Sequence, residues 1–115
     1  MEVQVFGLRN SPDTRKALRF FAERRIQTHF VDLKERPASL GELRRFIQRF
    51  GTEGILDRTS RRFADLGLGA AHLSEERWLD KLAVEPLLLR MPLVRYGSEL
   101  TVGDGTEAWR RWTGR

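Results

Sequence analysis

Strand-like and helix-like patterns alternate along the first third of the chain, and this order constrains the fold more than any other feature. Residues 2–6 alternate in polarity, which is typical of a half-buried strand. Ser11, Pro12 and Asp13 then predict a helix start, because they supply a capping hydroxyl, a residue suited to the first helical position and a first-turn acid. Residues 26–33 predict a second strand. Strands joined by a helix lie parallel in one sheet, so the sequence predicts an α/β fold.

The middle of the chain predicts helices rather than strands. Ser39 and Glu42 fit a capping box, and the helix that they begin is expected to end at Gly51. Residues 55–72 are expected to be loops with one short helical turn, and Ser74 can cap a further helix.

The end of the chain predicts a hairpin and a closing helix. Residues 93–96 and 99–102 have strand patterns, and Gly97-Ser98 between them indicates a tight turn. Thr106 is expected to cap the last helix. We therefore expect one domain over residues 1–115, with a mixed sheet of three or four strands.

The chain contains no cysteine, and this excludes several kinds of chemistry. No disulfide can form, no thiolate can act as a nucleophile, and no metal or iron–sulfur cluster can be held by thiolates. His29 and His72 lie far apart in sequence and lack metal-ligand spacing, so no metal site is expected.

The charge balance is basic, with 21 Lys and Arg residues against 16 Asp and Glu residues. This charge suits an acidic protein surface, a small anion or nucleic acid as a partner. The arginines are spread along the chain, although Arg110, Arg111 and Arg115 form a basic end that is expected to be a solvated helix face. The three tryptophans are Trp78, Trp109 and Trp112, and we expect them to pack helices onto the sheet rather than stack on bases. Direct binding of nucleic acid is therefore not expected.

Neither a secretory signal nor an apolar run of about 18 residues is visible in the sequence. We therefore expect a cytoplasmic protein that does not associate with membranes.

Several short segments, in order and at fixed spacing, carry a family resemblance. They are Phe6 to Ser11 with Thr14 to Leu18, Phe30 to Lys34 with Pro37, Leu66 to Leu68, Leu73 to Glu76, and Pro92 to Val94 followed by Val102-Gly103. Together they resemble the ArsC family, which includes glutaredoxin-type arsenate reductases, Spx-type transcriptional regulators and uncharacterised relatives. The resemblance implies a thioredoxin-like (glutaredoxin-type) α/β fold, with a mixed sheet flanked by helices and a helical insertion before the hairpin.

The same resemblance implies where the family's functional residues should lie. The nucleophilic cysteine of the family corresponds to Ser11, and the second cysteine of Spx-type members corresponds to Thr14. Arsenate reductases have an arginine directly before the proline of the last loop, where this chain has Met91, and Arg90 stands one position earlier. A further reductase arginine, in the hairpin, is absent, whereas Arg58 lies near the family's mid-chain arginine. The remaining position, Pro92, resembles the proline that is cis in thioredoxin folds.

The replacement of cysteine by Ser11 predicts that arsenate reduction is lost. That reaction needs a thiolate that attacks arsenic and then exchanges with another thiol. A serine hydroxyl has a far higher pKa and does not undergo thiol–disulfide exchange. To act as a nucleophile it would need an adjacent base, and neither histidine has an evident route to it.

The start of the first helix could still bind a small oxyanion, because free amides and the helix dipole attract negative charge there. The candidate anion-binding residues are Asn10, Ser11, Thr14, Arg15, Arg58 and Arg90, with help from Arg9. Pro12 removes one donor and Asp13 adds a repelling charge. The alternative is that Ser11 is simply an N-cap.

Three functions are compatible with the sequence. The first is a non-catalytic ArsC-like binding module that retains an oxyanion or glutathione pocket. The second is an Spx-like regulator that binds RNA polymerase, without the thiol switch. The third is a glutathione-dependent oxidoreductase or transferase that uses Ser11 to orient a bound thiol. Beyond glutathione, no cofactor is expected.

Overall fold

The first third of the chain forms the predicted strand–helix–strand unit. In the computed structural model, which describes residues 1–114, β1 spans Glu2–Gly7, α1 spans Pro12–Glu23 and β2 spans Gln27–Asp32. Strands β1 and β2 pair in parallel, with Val5 opposite Phe30. Helix α1 begins at the predicted cap and ends at Glu23, and the following Arg24 donates from Nη1 to the Phe20 carbonyl at 3.1 Å, which places a cation at the carbonyl end of the helix.

The hairpin completes a four-stranded mixed sheet. Strand β3 spans Leu93–Tyr96 and β4 spans Glu99–Val102, and they pair antiparallel around the Gly97-Ser98 turn. Strand β3 also pairs antiparallel with β1, so the strand order is β2-β1-β3-β4. The predicted mixed sheet flanked by helices is confirmed.

Residues 1–36 and 91–114 form one compact unit, here called the sheet unit, and Pro37–Arg90 forms the helical unit. The sheet unit has its own core, in which α1 and the closing helix α5, Thr106–Trp112, pack against the sheet. Its buried members come from both helices and from strands β1 and β3: Val3, Val5, Ala17, Phe20, Phe21, Val94, Trp109 and Trp112. The Trp109 ring lies 5.6 Å from both Phe20 and Phe21, and its Nε1 donates to the Thr101 hydroxyl at 2.9 Å. Burying large aromatic rings supplies much of the stability of a small core.

The helical unit is the insertion that the resemblance implied. It contains α2 at Leu40–Ile55, α3 at Arg61–Asp65 and α4 at Glu75–Val84, with short 3-10 turns at Leu68–Ala70 and Pro86–Leu88. Helix α2 buries an apolar stripe, and α4 buries Trp78.

One sequence prediction about helix ends is confirmed and another is wrong. The first helical stretch of α2 ends at Gly51, whose backbone is non-helical with a left-handed φ of 75°, and a second stretch follows as far as Ile55. Glycine tolerates that φ, so the chain can bend there. Thr106 does not cap α5: Gly105 occupies the cap position, and Thr106 is the first helical residue. Its hydroxyl instead donates to the Asp104 carboxylate. Of the basic end, Arg110 and Arg111 are exposed, and Arg115 lies outside the described residues.

No helix among residues 1–114 is long and apolar enough to cross a membrane. Within the same residues, no group of three or more His, Asp or Glu side chains is placed to hold a metal ion.

Candidate functional site

Ser11 lies in a tight turn between β1 and α1, and its hydroxyl caps the helix. The Ser11 amide donates to the Leu8 carbonyl at 3.0 Å, which closes the turn. Ser11 Oγ accepts a hydrogen bond from the Thr14 amide at 3.2 Å, and the backbone at Ser11 is extended. This is the geometry of an N-cap, which stabilises a helix by about 1 kcal/mol.

Few amides remain free for an anion at this helix start. Pro12 has no N–H, the Thr14 amide is bound by Ser11 Oγ, and the Arg15 amide donates to the Ser11 carbonyl at 3.0 Å. The Asp13 amide makes no hydrogen bond within residues 1–114, but its carboxylate adds negative charge at the same place. A ligand would therefore meet one unpaired amide and the proton of the Ser11 hydroxyl.

The arginines beside Ser11 are held by contacts within the sheet unit. Arg15 Nη1 donates to the Arg9 carbonyl at 3.0 Å, across the loop that carries Ser11. The Arg9 guanidinium lies 4.7 Å from the centre of the Phe30 ring, and its Nε is 3.9 Å from Asp32 Oδ2. The Arg9 side chain is 71% exposed, so this ion pair is weak and solvent-screened. Each guanidinium retains N–H groups for which no hydrogen bond is described within residues 1–114.

Thr14 occupies the position of the family's second cysteine, and its hydroxyl is isolated. The side chain is fully buried, and Thr14 Oγ1 has no hydrogen-bond partner within residues 1–114. It packs against Gly7 at the end of β1, where any Cβ would collide with it. The burial that keeps Thr14 Oγ1 from solvent also keeps it from a ligand, and we assign it a packing role.

An ion pair that the sequence did not predict fixes α1 to the loop before α5. Lys16 Nζ lies 2.6 Å from Asp104 Oδ2, and the Thr106 amide donates to the other oxygen of that carboxylate at 3.0 Å. The bond from Lys16, followed by those from Thr106, lowers the pKa of Asp104 to about 2. Gly103, next to Asp104, donates its amide to the Pro92 carbonyl at 2.9 Å, and the Met91–Pro92 peptide bond is cis. These contacts connect α1 to the proline loop that resembles the family's site.

Sequence could have suggested only one half of this network. An aspartate two residues before a threonine at a helix start is a known local turn pattern. Lys16 is 88 residues away from Asp104, and no short-range signal relates the two.

The other two predicted arginines lie in the helical unit, where each has contacts of its own. Arg58 forms a two-pronged ion pair with Glu53, with both N···O distances at 2.6 Å. This pair raises the pKa of Arg58 and lowers the pKa of Glu53. Arg90 donates its amide to the Ile55 carbonyl at 2.8 Å, and its Nη1 lies 3.4 Å from the Gly54 carbonyl. Arg58 is thus already neutralised by a local carboxylate.

Ser11 has no base beside it in the described part of the chain. Its hydroxyl makes one described hydrogen bond, to the Thr14 amide, and neither a histidine nor a carboxylate contacts it. His29 is an exposed residue of β2, paired with Gln4. A serine without a general base is a weak nucleophile.

Comparison with known proteins agrees with this fold and these motifs. The sequence profile of the ArsC family matches residues 6–112. The global transcriptional regulator Spx of Lactiplantibacillus plantarum is 30% identical over 97 residues, which cover 78% of this chain and 74% of that protein. The chain therefore belongs to the ArsC family, and it is a member without cysteine.

Solved structures support the fold assignment. An arsenate reductase from Vibrio cholerae superposes with a TM-score of 0.83 over 96% of this chain and 97% of that one, at 21% identity. An arsenate reductase-related protein from Brucella melitensis gives a TM-score of 0.70 at 20% identity, covering 100% of this chain and 97% of its own. The predicted thioredoxin-like α/β class is confirmed.

Proposed function

We propose that this protein is a non-catalytic binding member of the ArsC family. The observation that carries the proposal is the absence of sulfur nucleophiles: no cysteine occurs in 115 residues, and serine stands at the position of the family's nucleophile. Arsenate reduction removes an oxygen from arsenic and oxidises a thiol, so a protein without thiols cannot supply the attacking group.

The surroundings of Ser11 support the same proposal. Its hydroxyl oxygen accepts the Thr14 amide, and no base is placed to remove its proton. Activation of serine requires such a base within hydrogen-bond reach. In this proposal Ser11 stabilises the start of α1 and does not act as a nucleophile.

Turnover measurements test this proposal. The purified protein is incubated with arsenate, glutathione and glutaredoxin, and oxidation of glutathione is followed against a no-protein blank. We expect the rate to equal the blank, and Ser11→Ala to behave identically. Arsenate-dependent oxidation above the blank that is lost in Ser11→Ala would contradict the proposal. The same assay with an electrophilic substrate tests the glutathione-dependent use of Ser11 that the sequence left open.

We further propose that the α1 start keeps a low-affinity site for a small oxyanion. The support is the unpaired Asp13 amide, the donor capacity of the Ser11 hydroxyl and the guanidinium groups of Arg9 and Arg15. Because Asp13 opposes a negative ligand, we expect a dissociation constant of roughly millimolar order. Glutathione would use its carboxylates at the same donors.

Calorimetric titration with phosphate, arsenate and glutathione measures this site. Arg15→Gln is expected to weaken binding severalfold, whereas Arg19→Gln, an exposed position on the same helix without a described ion pair, is the matched control. An absence of heat at millimolar ligand would eliminate the anion site but leave the non-catalytic proposal standing.

A second candidate, an Spx-like regulator, is favoured by one specific observation. A relative at 30% identity is named a global transcriptional regulator. By that likeness, the partner of this chain would be RNA polymerase, and the basic net charge of +5 suits an acidic surface on such a partner. A protein partner of this kind is compatible with a non-catalytic module.

Direct binding to purified RNA polymerase tests this candidate. Because the chain has no thiol, its affinity should not change with diamide, an oxidant of thiols. The Ser11→Cys, Thr14→Cys double variant would reintroduce both cysteine positions and is the matched redox-sensitive control. No binding at tens of micromolar protein would exclude the regulator reading.

A further inference from the structure

The outer face of α4 in the helical unit has no partner in the described structure. Its inner face buries Trp78, Leu79 and Leu82. At 100° per residue the opposite side carries Arg77, Asp80 and Val84, with Leu73 just before the helix. The three helical positions are spaced by three and four residues, which is the spacing of a stripe that packs against another helix, and Leu73, which precedes the extended Ser74 cap, lies beside the same face.

This stripe combines apolar ends with a charged centre. Val84 is 74% exposed and Leu87, in the following 3-10 turn, is 51% exposed, which is unusual for large apolar side chains so close together. A shallow hollow of about 460 Å³ runs along the stripe and is lined by Leu73, Arg77, Asp80, Lys81 and Val84. In the described chain neither Arg77 nor Asp80 forms an ion pair, although they lie one helical turn apart.

We propose that this face binds the same face of a second copy of the chain, with the two α4 helices antiparallel. The two-fold axis would lie on the outer side of α4, at the height of residues 78 and 79. It places Leu73 opposite Val84 of the other copy. The same axis places Arg77 opposite Asp80, twice in each dimer. Both apolar contacts and both charge contacts are thus satisfied in a single register.

The arrangement of charges favours a second copy over an unrelated partner. An isologous interface requires a surface that is complementary to itself under a two-fold rotation. A uniformly acidic partner would be repelled by Asp80, and a uniformly basic partner would be repelled by Arg77. The copy of this chain meets both requirements at once.

The size of the face sets the strength of the dimer. Helix α4 has ten residues and is therefore about 15 Å long. That length is short for a stable dimer, which buries roughly 800 Å² on each partner. We therefore expect a reversible dimer that forms at high protein concentration, from roughly 0.1 to 1 mM.

Charge reversal tests the ionic part of the interface. Sedimentation equilibrium of the full chain should show Asp80→Arg weakening self-association at least about tenfold, because two attractive contacts become two repulsive ones. Arg77→Asp alone should do the same, and the double exchange Arg77→Asp, Asp80→Arg should restore association to within about threefold of the wild type. A strictly monomeric wild type at 1 mM, or equal association by all variants, would overturn the proposal.

The absence of native cysteines makes a second, register-specific test available. The single variants Leu73→Cys and Val84→Cys are mixed and oxidised mildly. Random pairing of equal amounts already gives the mixed 73–84 disulfide about twice the yield of either homodisulfide, and the proposed register predicts an excess well above that ratio. Each variant carries a single cysteine, so every disulfide that forms joins two copies of the chain. Random proportions of the three disulfides would refute the antiparallel register, as would a preference for homodisulfides.

Discussion

Replacing Ser11 by cysteine measures how much of the family's electrostatic site survives. The sulfur would occupy the N-cap of α1, where the Thr14 amide now donates to Ser11 Oγ at 3.2 Å. A thiolate at that point would accept a charge-assisted hydrogen bond and would lie at the positive end of a 12-residue helix. We expect the pKa of the new thiol to fall below that of an ordinary cysteine.

The size of the shift follows from the contacts. The helix terminus contributes about 0.3–1 kcal/mol for an anion near the surface, and one hydrogen bond to a charged group about 1.5 kcal/mol. The Asp13 carboxylate opposes both, and solvent screens the half-buried position. A net stabilisation of the thiolate by about 1.4 kcal/mol corresponds to one pKa unit. We therefore expect the new thiol to have a pKa of about 7.5 rather than 8.5.

The rate of alkylation by iodoacetamide as a function of pH gives the pKa directly. Ser74→Cys is the matched control, because Ser74 Oγ accepts the Arg77 amide at the same 3.2 Å but is followed by Glu75 and Glu76. Ser98→Cys, in the exposed hairpin turn, gives the unperturbed value. A Ser11→Cys pKa equal to that of Ser98→Cys would refute the reasoning, and one equal to that of Ser74→Cys would assign the shift to the cap alone.

Three further predictions concern stability, each measured by urea unfolding. Asp104→Asn should cost about 1 kcal/mol at pH 7, after discounting the solvent-exposed ion pair with Lys16. Since the pKa of Asp104 is lowered to about 2, this difference should be complete above its unfolded pKa of about 4 and should be lost as pH falls through 2; a difference that is as large at pH 2 as at pH 7 would contradict the assignment. Thr101→Val should cost about 1–3 kcal/mol by leaving the buried Trp109 N–H unpaired, and no loss would mean that water replaces the hydroxyl. Thr14→Val should stabilise the protein by about 1 kcal/mol, since Thr14 Oγ1 is buried without a partner; destabilisation would show that the hydroxyl has one.

Local signals predicted most of the fold. The caps at Ser11, Ser39 and Ser74 and the turn at Gly97-Ser98 all lie where the sequence placed them, because each depends on residues within about four positions. The helix end at Gly51 was also predicted, although the short helical stretch that follows it was not. The error at Thr106 has a local origin, because a threonine near an aspartate can donate to the carboxylate rather than cap the helix.

The candidate site was predicted less completely, because its contacts are long-range. The sequence named the loop with Ser11 and the neighbouring arginines, but it gave no means of knowing that the Arg58 charge is taken by Glu53. It also gave no means of pairing Lys16 with Asp104. The single-domain assignment over residues 1–115 stays a prediction, and so does the anion-binding role of the named residues other than Thr14, whose side chain is buried.

The sequence by itself determined that this chain carries no thiol group, because the chemical composition of a side chain does not depend on folding. It also determined the alternation of strands and helices, which follows from the spacing of apolar residues. Only the tertiary structure decided which polar groups pair with one another. The Ser11 hydroxyl accepts a hydrogen bond from a helix amide, Asp104 pairs with Lys16, and Arg58 pairs with Glu53. The tertiary structure left the Arg77 and Asp80 charges on α4 unpaired, since ion pairing depends on the distances that the folded chain imposes.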